Sequence, residues 1–283
     1  MKNYKTFAGT PEVFAQRETS KIYLQSIPYD GTSTWGKGAD KGFEAFMDAA
    51  ENMELYDIET NTEVYKEGIH VLEEAPSFDS PKAMYQYTYE NTRRLIKEGK
   101  FLTFFGGEHS VSIGIIRAHY EHYADLTVLQ IDAHADLRPN YEGTPYNHAC
   151  AVHDASLNAN LVQVGVRSMD ISEKEYMNYD KVFFADEIKY NGLWEDQAMD
   201  QITENVFITL DLDAFDPSIL PATGTPEPGG LDWYLVTNFL AKVFEERNVV
   251  GFDIVELAPI EGHKASEYLA AKLYYKMLSY KFS

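Results

Sequence analysis

The chain has 283 residues, 45% of them hydrophobic, which is enough to bury a sizeable core and excludes intrinsic disorder. Its 45 acidic against 24 basic residues leave a net charge of -21, which repels a phosphate backbone and disfavours anionic lipid, so no nucleic-acid and no membrane partner is expected. A single cysteine, Cys150, excludes an internal disulfide and a thiolate metal site; with no apolar run of membrane-spanning or signal-peptide kind, a cytoplasmic location is expected.

In chain order, short apolar runs rich in β-branched and aromatic residues predict strands at 21–28, 101–105, 126–132, 161–167, 181–185, 206–213 and 249–256. Stretches with helical periodicity lie at 82–98, 111–123, 233–246 and 265–279. Strands alternating with helices imply a three-layer α/β/α fold with a mainly parallel sheet covered on both faces. No repeat, low-complexity tract or Pro/Gly-rich linker divides the chain, so one domain over 1–283 is expected.

Ligands bind outside the carboxyl ends of the strands in such sheets, and several of these runs finish in unusual chemistry. FLTFF leads into Gly106-Gly107-Glu108-His109-Ser110, which places His109 at a strand end. VLQIDAHAD spaces Asp132, His134 and Asp136 at i, i+2 and i+4, on one face if the strand persists that far. Asp211 and Asp213 alternate with Leu210 and Leu212 in the same way. Carboxylates crowded at a buried sheet end repel each other unless neutralised, and a divalent cation is one remedy. Four Asp and two His form a set of hard oxygens and imidazoles that suits Mn²⁺ and tolerates Fe²⁺, Co²⁺, Ni²⁺ or Zn²⁺.

These residues resemble the ureohydrolases, the family that includes arginase, agmatinase and guanidinobutyrase. The likeness runs through GGEHS (106–110), DAHADLR (132–138), YEGTPYNHAC (141–150), LDLDAFDPSILPATGTPEPGGL (210–231) and DIVELAP (253–259), while IPYDGTSTWGKGADKG (27–42) is similar to the family's cavity-entrance loop. The resemblance implies an arginase-like fold and two Mn²⁺ per subunit. One ion would be held by His109, Asp132, Asp136 and Asp211, the other by Asp132, His134, Asp211 and Asp213, with Asp132 and Asp211 bridging. It also implies that Glu256 pairs with the substrate guanidinium, that His148 shuttles protons, and that the subunits form a homotrimer or homohexamer.

The loop after Asp136 bears on the substrate. Arginases carry an Asn two residues past this Asp, followed by Ser and Thr that hold the amino-acid head; here Leu137-Arg138-Pro139-Asn140-Tyr141-Glu142 stands instead. The HADLR and YEG pattern is similar to agmatinases, and Glu142 would favour a cationic tail through its field. The expected reaction is hydrolysis of the small molecule agmatine to putrescine and urea. Two departures from the agmatinase pattern, Asn147 for Ser and Ala149 for Gly, bear on cavity shape. Arg138 keeps a carboxylate-tailed substrate open as an alternative. Aminopropylagmatine, formiminoglutamate and arginine hydrolysis, or a catalytically silent homologue, rank below agmatine hydrolysis.

Overall fold

The computed structural model describes residues 6–283. Eight strands form one sheet: β1 (Ile22–Ile27), β2 (Ile69–Val71), β3 (Phe101–Gly106), β4 (Leu126–Ile131), β5 (Asn160–Val166), β6 (Val182–Phe184), β7 (Asn205–Asp211) and β8 (Asn248–Val255). Their spatial order is β2-β1-β3-β8-β7-β4-β5-β6, and every pairing is parallel. The last strand in sequence therefore sits in the middle, between β3 and β7.

Among the described residues, eight α-helices cover the sheet: α1 (Gly42–Ala50), α2 (Pro81–Ile96), α3 (Ser112–Tyr120), α4 (His153–Asn158), α5 (Ala185–Tyr190), α6 (Trp194–Gln201), α7 (Trp233–Glu246) and α8 (Ala265–Phe282). Two separate cores result, as a two-sided parallel sheet requires. Phe46 of α1, Trp194 of α6, Phe239 of α7 and Tyr274 of α8 pack on one face, against Phe105, Leu129, Ile208 and Phe252. Met84 of α2, Ile115 of α3 and Ala155 of α4 pack on the other, against Leu102, Phe104, Val128 and Phe207. Among the described residues, no helix is long and apolar enough to cross a membrane.

Two of the four predicted helices, α2 and α7, begin at a side-chain cap. Ser80 accepts a hydrogen bond from Ala83 N–H with Pro81 at the first helical position, and Asp232 accepts one from Leu235 N–H at the start of α7. The three-residue β2 and the helices α1, α4, α5 and α6 have no counterpart among the predicted elements. β4 also stops at Ile131 and β7 at Asp211, so the expectation that ligand residues share a face by strand alternation is corrected. Asp136 has φ of 51°, outside any strand, and Leu212–Ala214 form a 3₁₀ turn. The side chains still converge, but through loop geometry.

Candidate metal centre

Four neighbouring central strands deliver the chemistry at their carboxyl ends. His109 follows β3, Glu256 follows β8, Asp211 ends β7 with Asp213 in the turn after it, and Asp132, His134 and Asp136 follow β4. The turn after β3 depends on Gly107, where an added Cβ would lie 1.9 Å from the Tyr29 carbonyl oxygen. Glu256 takes a left-handed φ of 68°, and its N–H donates to Gly107 O at 2.8 Å. Arg167, which follows β5, donates to Asp213 O at 2.7 Å and to Glu227 O at 2.8 Å, clamping the loop that carries Asp213.

His109 Nδ1 lies 3.1 Å from Asp132 Oδ2, 3.1 Å from Asp136 Oδ2 and 3.4 Å from Asp211 Oδ2. It nevertheless makes no aligned hydrogen bond, although it is buried. A nitrogen surrounded by three carboxylate oxygens and aimed squarely at none fits a cation among them. His109, Asp132 and Asp211 form one group of metal-ligand geometry, and Asp132, His134 and Asp213 form another that shares Asp132. His134 Nδ1 is 2.9 Å from Asp213 Oδ2. Asp211 belongs to the first group, and its Oδ1 accepts the Asp213 N–H at 2.8 Å. The donor set fits two divalent ions of hard or borderline kind.

The electrostatics agree with that fit. Burial and the neighbouring Asp213 push Asp132 up, and burial with Asp132 pushes Asp136 up to about 7. Burial also raises Asp211 well above the carboxylate range, with Asp213 and Asp132 adding to it. Burial alone would lower His134, but Asp213 and Asp132 outweigh it and raise the imidazole to about 11. Asp213 is pressed upward by burial yet held down at about 2 by His134. Without a cation, protons hold this cluster together; with one, they are displaced.

Glu256 is buried, and its Oε1 accepts the His109 N–H at 2.8 Å. Burial and the nearby Glu108 raise it well above the usual range. Gly224 closes over its other oxygen, where an added Cβ would approach Oε2 to 3.5 Å, and Gly36 N–H donates to Gly224 O at 3.2 Å. His148 sits across the cavity with its Nδ1 3.1 Å from Thr32 Oγ1 of the 27–42 loop. Burial, with the neighbouring imidazoles of His134 and His109, pushes it down to about 4, so it is a neutral base at pH 7.

A cavity of about 260 Å³ opens over these groups, lined by Thr34, His134, Asp136, Arg138, Tyr141, His148 and Asp170 among others. Arg138 stands on its wall, stacked on Tyr141 at 4.4 Å from the ring centroid and 3.8 Å from Asp170 Oδ2. Glu142 does not line it: the residue is exposed at the tip of the Tyr141–Thr144 turn with φ of 49°. Sequence reasoning missed Thr32, Arg167, Asp170 and Glu227, whose Oε1 is 3.8 Å from His134 Nε2. Arg167 ends the predicted strand 161–167 and Asp170 follows it, so the strand-end rule already pointed at them.

The arginase family model matches residues 20–279. The N(1)-aminopropylagmatine ureohydrolase of a Synechocystis strain is 35% identical, with 99% of this chain and 97% of that protein covered. The agmatinase of Bacillus anthracis is 29% identical, with 90% and 89% covered. Among solved structures, the agmatine ureohydrolase of Thermoplasma volcanium superposes with a TM-score of 0.86 at 28% identity, covering 99% of this chain and 95% of that one. Fold, motifs and similarity agree: the chain belongs to the arginase family, as a metal-dependent ureohydrolase acting on guanidino groups.

Proposed function

We propose that this enzyme releases urea from a linear guanidino amine with a cationic tail, N(1)-aminopropylagmatine ahead of agmatine, using two Mn²⁺ per subunit in a trimer or hexamer. The observation that carries the reading is the charge around the cavity mouth. Asp170 lines it beside Arg138, whose charge it offsets, and Glu227 stands 3.8 Å from Nε2 of His134, which also lines it. A positive tail is favoured there, and a carboxylate tail would face the acids. Identity of 35% to an aminopropylagmatine ureohydrolase, against 29% to an agmatinase, supports the longer amine over the agmatine expected from sequence.

His109, Asp132, Asp136 and Asp211 would hold one ion; Asp132, His134, Asp211 and Asp213 the other. Bound there, the pair would lower the pKa of water and offset charge developing on the substrate. Glu256 would accept paired N–H bonds from the guanidinium and fix its plane, its own ionised form being favoured by the incoming cation. His148, neutral at pH 7, would take up a proton near the reacting centre and release it to solvent.

Comparison of kcat/KM for N(1)-aminopropylagmatine, agmatine, arginine and guanidinobutyrate on Mn²⁺-loaded protein tests the reading. The two amines are expected to lead arginine by roughly two orders of magnitude, since an unpartnered carboxylate costs several kcal/mol in such a site. Preference for guanidinobutyrate that disappears in Arg138→Ala would replace it with a carboxylate-tailed substrate.

A further inference from the structure

One step below the candidate ligands, four adjacent strands place a polar residue on the same register row. Asp253 of β8 pairs with Thr209 of β7, Thr209 with Gln130 of β4, and Gln130 with Gln163 of β5. All four are buried. Residues on either side of this row, such as Ile208, Leu210, Ile254 and Ile131, face the opposite core. Polar side chains inside a parallel sheet carry a desolvation cost, so each requires a partner.

The partners lead upward to the metal centre. His109 Nε2 lies 2.9 Å from Thr209 Oγ1, and Thr209 Oγ1 donates to Asp253 Oδ1 at 2.7 Å. On the other side, Gln163 Nε2 donates to Gln130 Oε1 at 2.6 Å, and Gln130 Nε2 donates to Asp132 Oδ2 at 2.7 Å. The first chain has a fixed polarity. A threonine hydroxyl has one proton, and a carboxylate can only accept it, so Thr209 must accept from His109. A neutral His109 is then protonated on Nε2, and its Nδ1 lone pair is left facing Asp132, Asp136 and Asp211.

We propose that Asp253, acting through Thr209, is a positioning residue that sets the tautomer and ring orientation of His109 for the ion this imidazole holds. The assignment rests on the reading of His109 as a metal ligand. The charge of Asp253, passed through one hydroxyl, also makes that nitrogen a better donor. The Gln163–Gln130 pair does the corresponding work for Asp132, so the two sides of the centre are supported by separate strands.

The test uses Zn²⁺-loaded full-length protein with ¹⁵N-labelled histidine, together with the rate at which each ion passes to a chelator, measured without substrate. In the native protein, the His109 Nε2 proton is expected far downfield and slow to exchange. In Thr209→Val that resonance moves upfield or exchanges away, and one ion leaves about 10–100-fold faster while the other keeps its native rate. Thr209→Ser restores both readouts. Asp253→Asn, whose amide can donate to Thr209 and reverse the chain, shows the same selective loss and keeps the fold assessable should the valine variant not fold. Native ion release and a native Nε2 proton in both Asp253→Asn and Thr209→Val overturn the proposal. Because no substrate is present, failure of the amine assignment leaves this result untouched, and failure of this result leaves the substrate assay untouched.

Discussion

At the scale of single residues, the centre is a competition between protons and cations. His134 keeps its proton up to about pH 11 because Asp213 faces it, and Asp136 takes one below about pH 7 because it is buried beside Asp132. Both groups could ligate only without their protons, as could His109 and Asp211, which are also held well above their ordinary values, so metal uptake near neutrality must expel the protons these groups hold, and below about pH 7 the Asp136 proton as well. Affinity is therefore expected to rise with pH, about tenfold per unit for each proton displaced, and more steeply below pH 7 than above it. Calorimetry in buffers of different ionisation enthalpy reads the released protons; uptake without proton release would sink this account. His148 touches none of the candidate ligands closely enough to share their ions, and is expected to matter for rate alone. Replacing it with Asn should lower kcat while leaving both ions in place, and unchanged turnover would remove it from the mechanism.

At the scale of elements, the strands of the inner sheet were legible because buried parallel strands read as continuous β-branched and aromatic runs. Of the two three-residue edge strands, β6 was legible through its wholly apolar Val-Phe-Phe run, whereas β2, Ile-His-Val, was not. Alternation correctly grouped Asp132, His134 and Asp136 but for the wrong physical reason. Periodicity cannot signal that β4 stops at Ile131 and that Asp136 turns into a left-handed conformation. Nor could it place Glu142, which a four-residue turn throws outward, or show that Arg138 lies against Asp170. Those depend on contacts with the segment after β5, far along the chain. The candidate ligand motifs stood out because they rest on residue type and strand-end position, whereas tail length rests on cavity walls drawn from several loops.

The element α3 adds a stability switch away from the centre. His119 is fully buried between Phe207 and Tyr123, with Nδ1 donating to Ile115 O at 2.8 Å, and burial pushes it down to about 4. An unfolded His titrates near 6.5, so the folded state is favoured above that value and loses this contribution as pH falls from 6.5 toward 4. The loss is roughly 3 kcal/mol for a group this deeply buried. His119→Gln should flatten the acid side of a plot of Tm against pH relative to the native protein, and an identical slope in both would show that another group sets it.

At the scale of the whole molecule, the net charge of -21 gives the long-range field a sign that suits a cationic substrate. kcat/KM for the amine substrates is expected to fall severalfold as salt rises from about 10 mM to about 150 mM, the range over which the Debye length shrinks from about 30 to about 8 Å. A stopped assay at graded ionic strength checks it, with kcat at saturation expected to hold steady. Guanidinobutyrate, whose carboxylate cancels its guanidinium charge, should show a much weaker trend when run alongside.

The position of β8 reaches beyond catalysis into how the protein is made. His109 rides on β3, whose partners are β1 and β8, so its strand joins β7 and β4 only when β8 has slotted between them. During synthesis the candidate ligands His109 through Asp213 all leave the ribosome before residues 248–255 that draw them together. Without β8, the strands bearing these acidic and imidazole groups have no pairing that joins β1–β3 to β7–β4. Assembly of the candidate ligands into one site thus waits for β8, and a protein truncated before Asn248 would carry all six candidate ligands yet lack the strand that makes them one site.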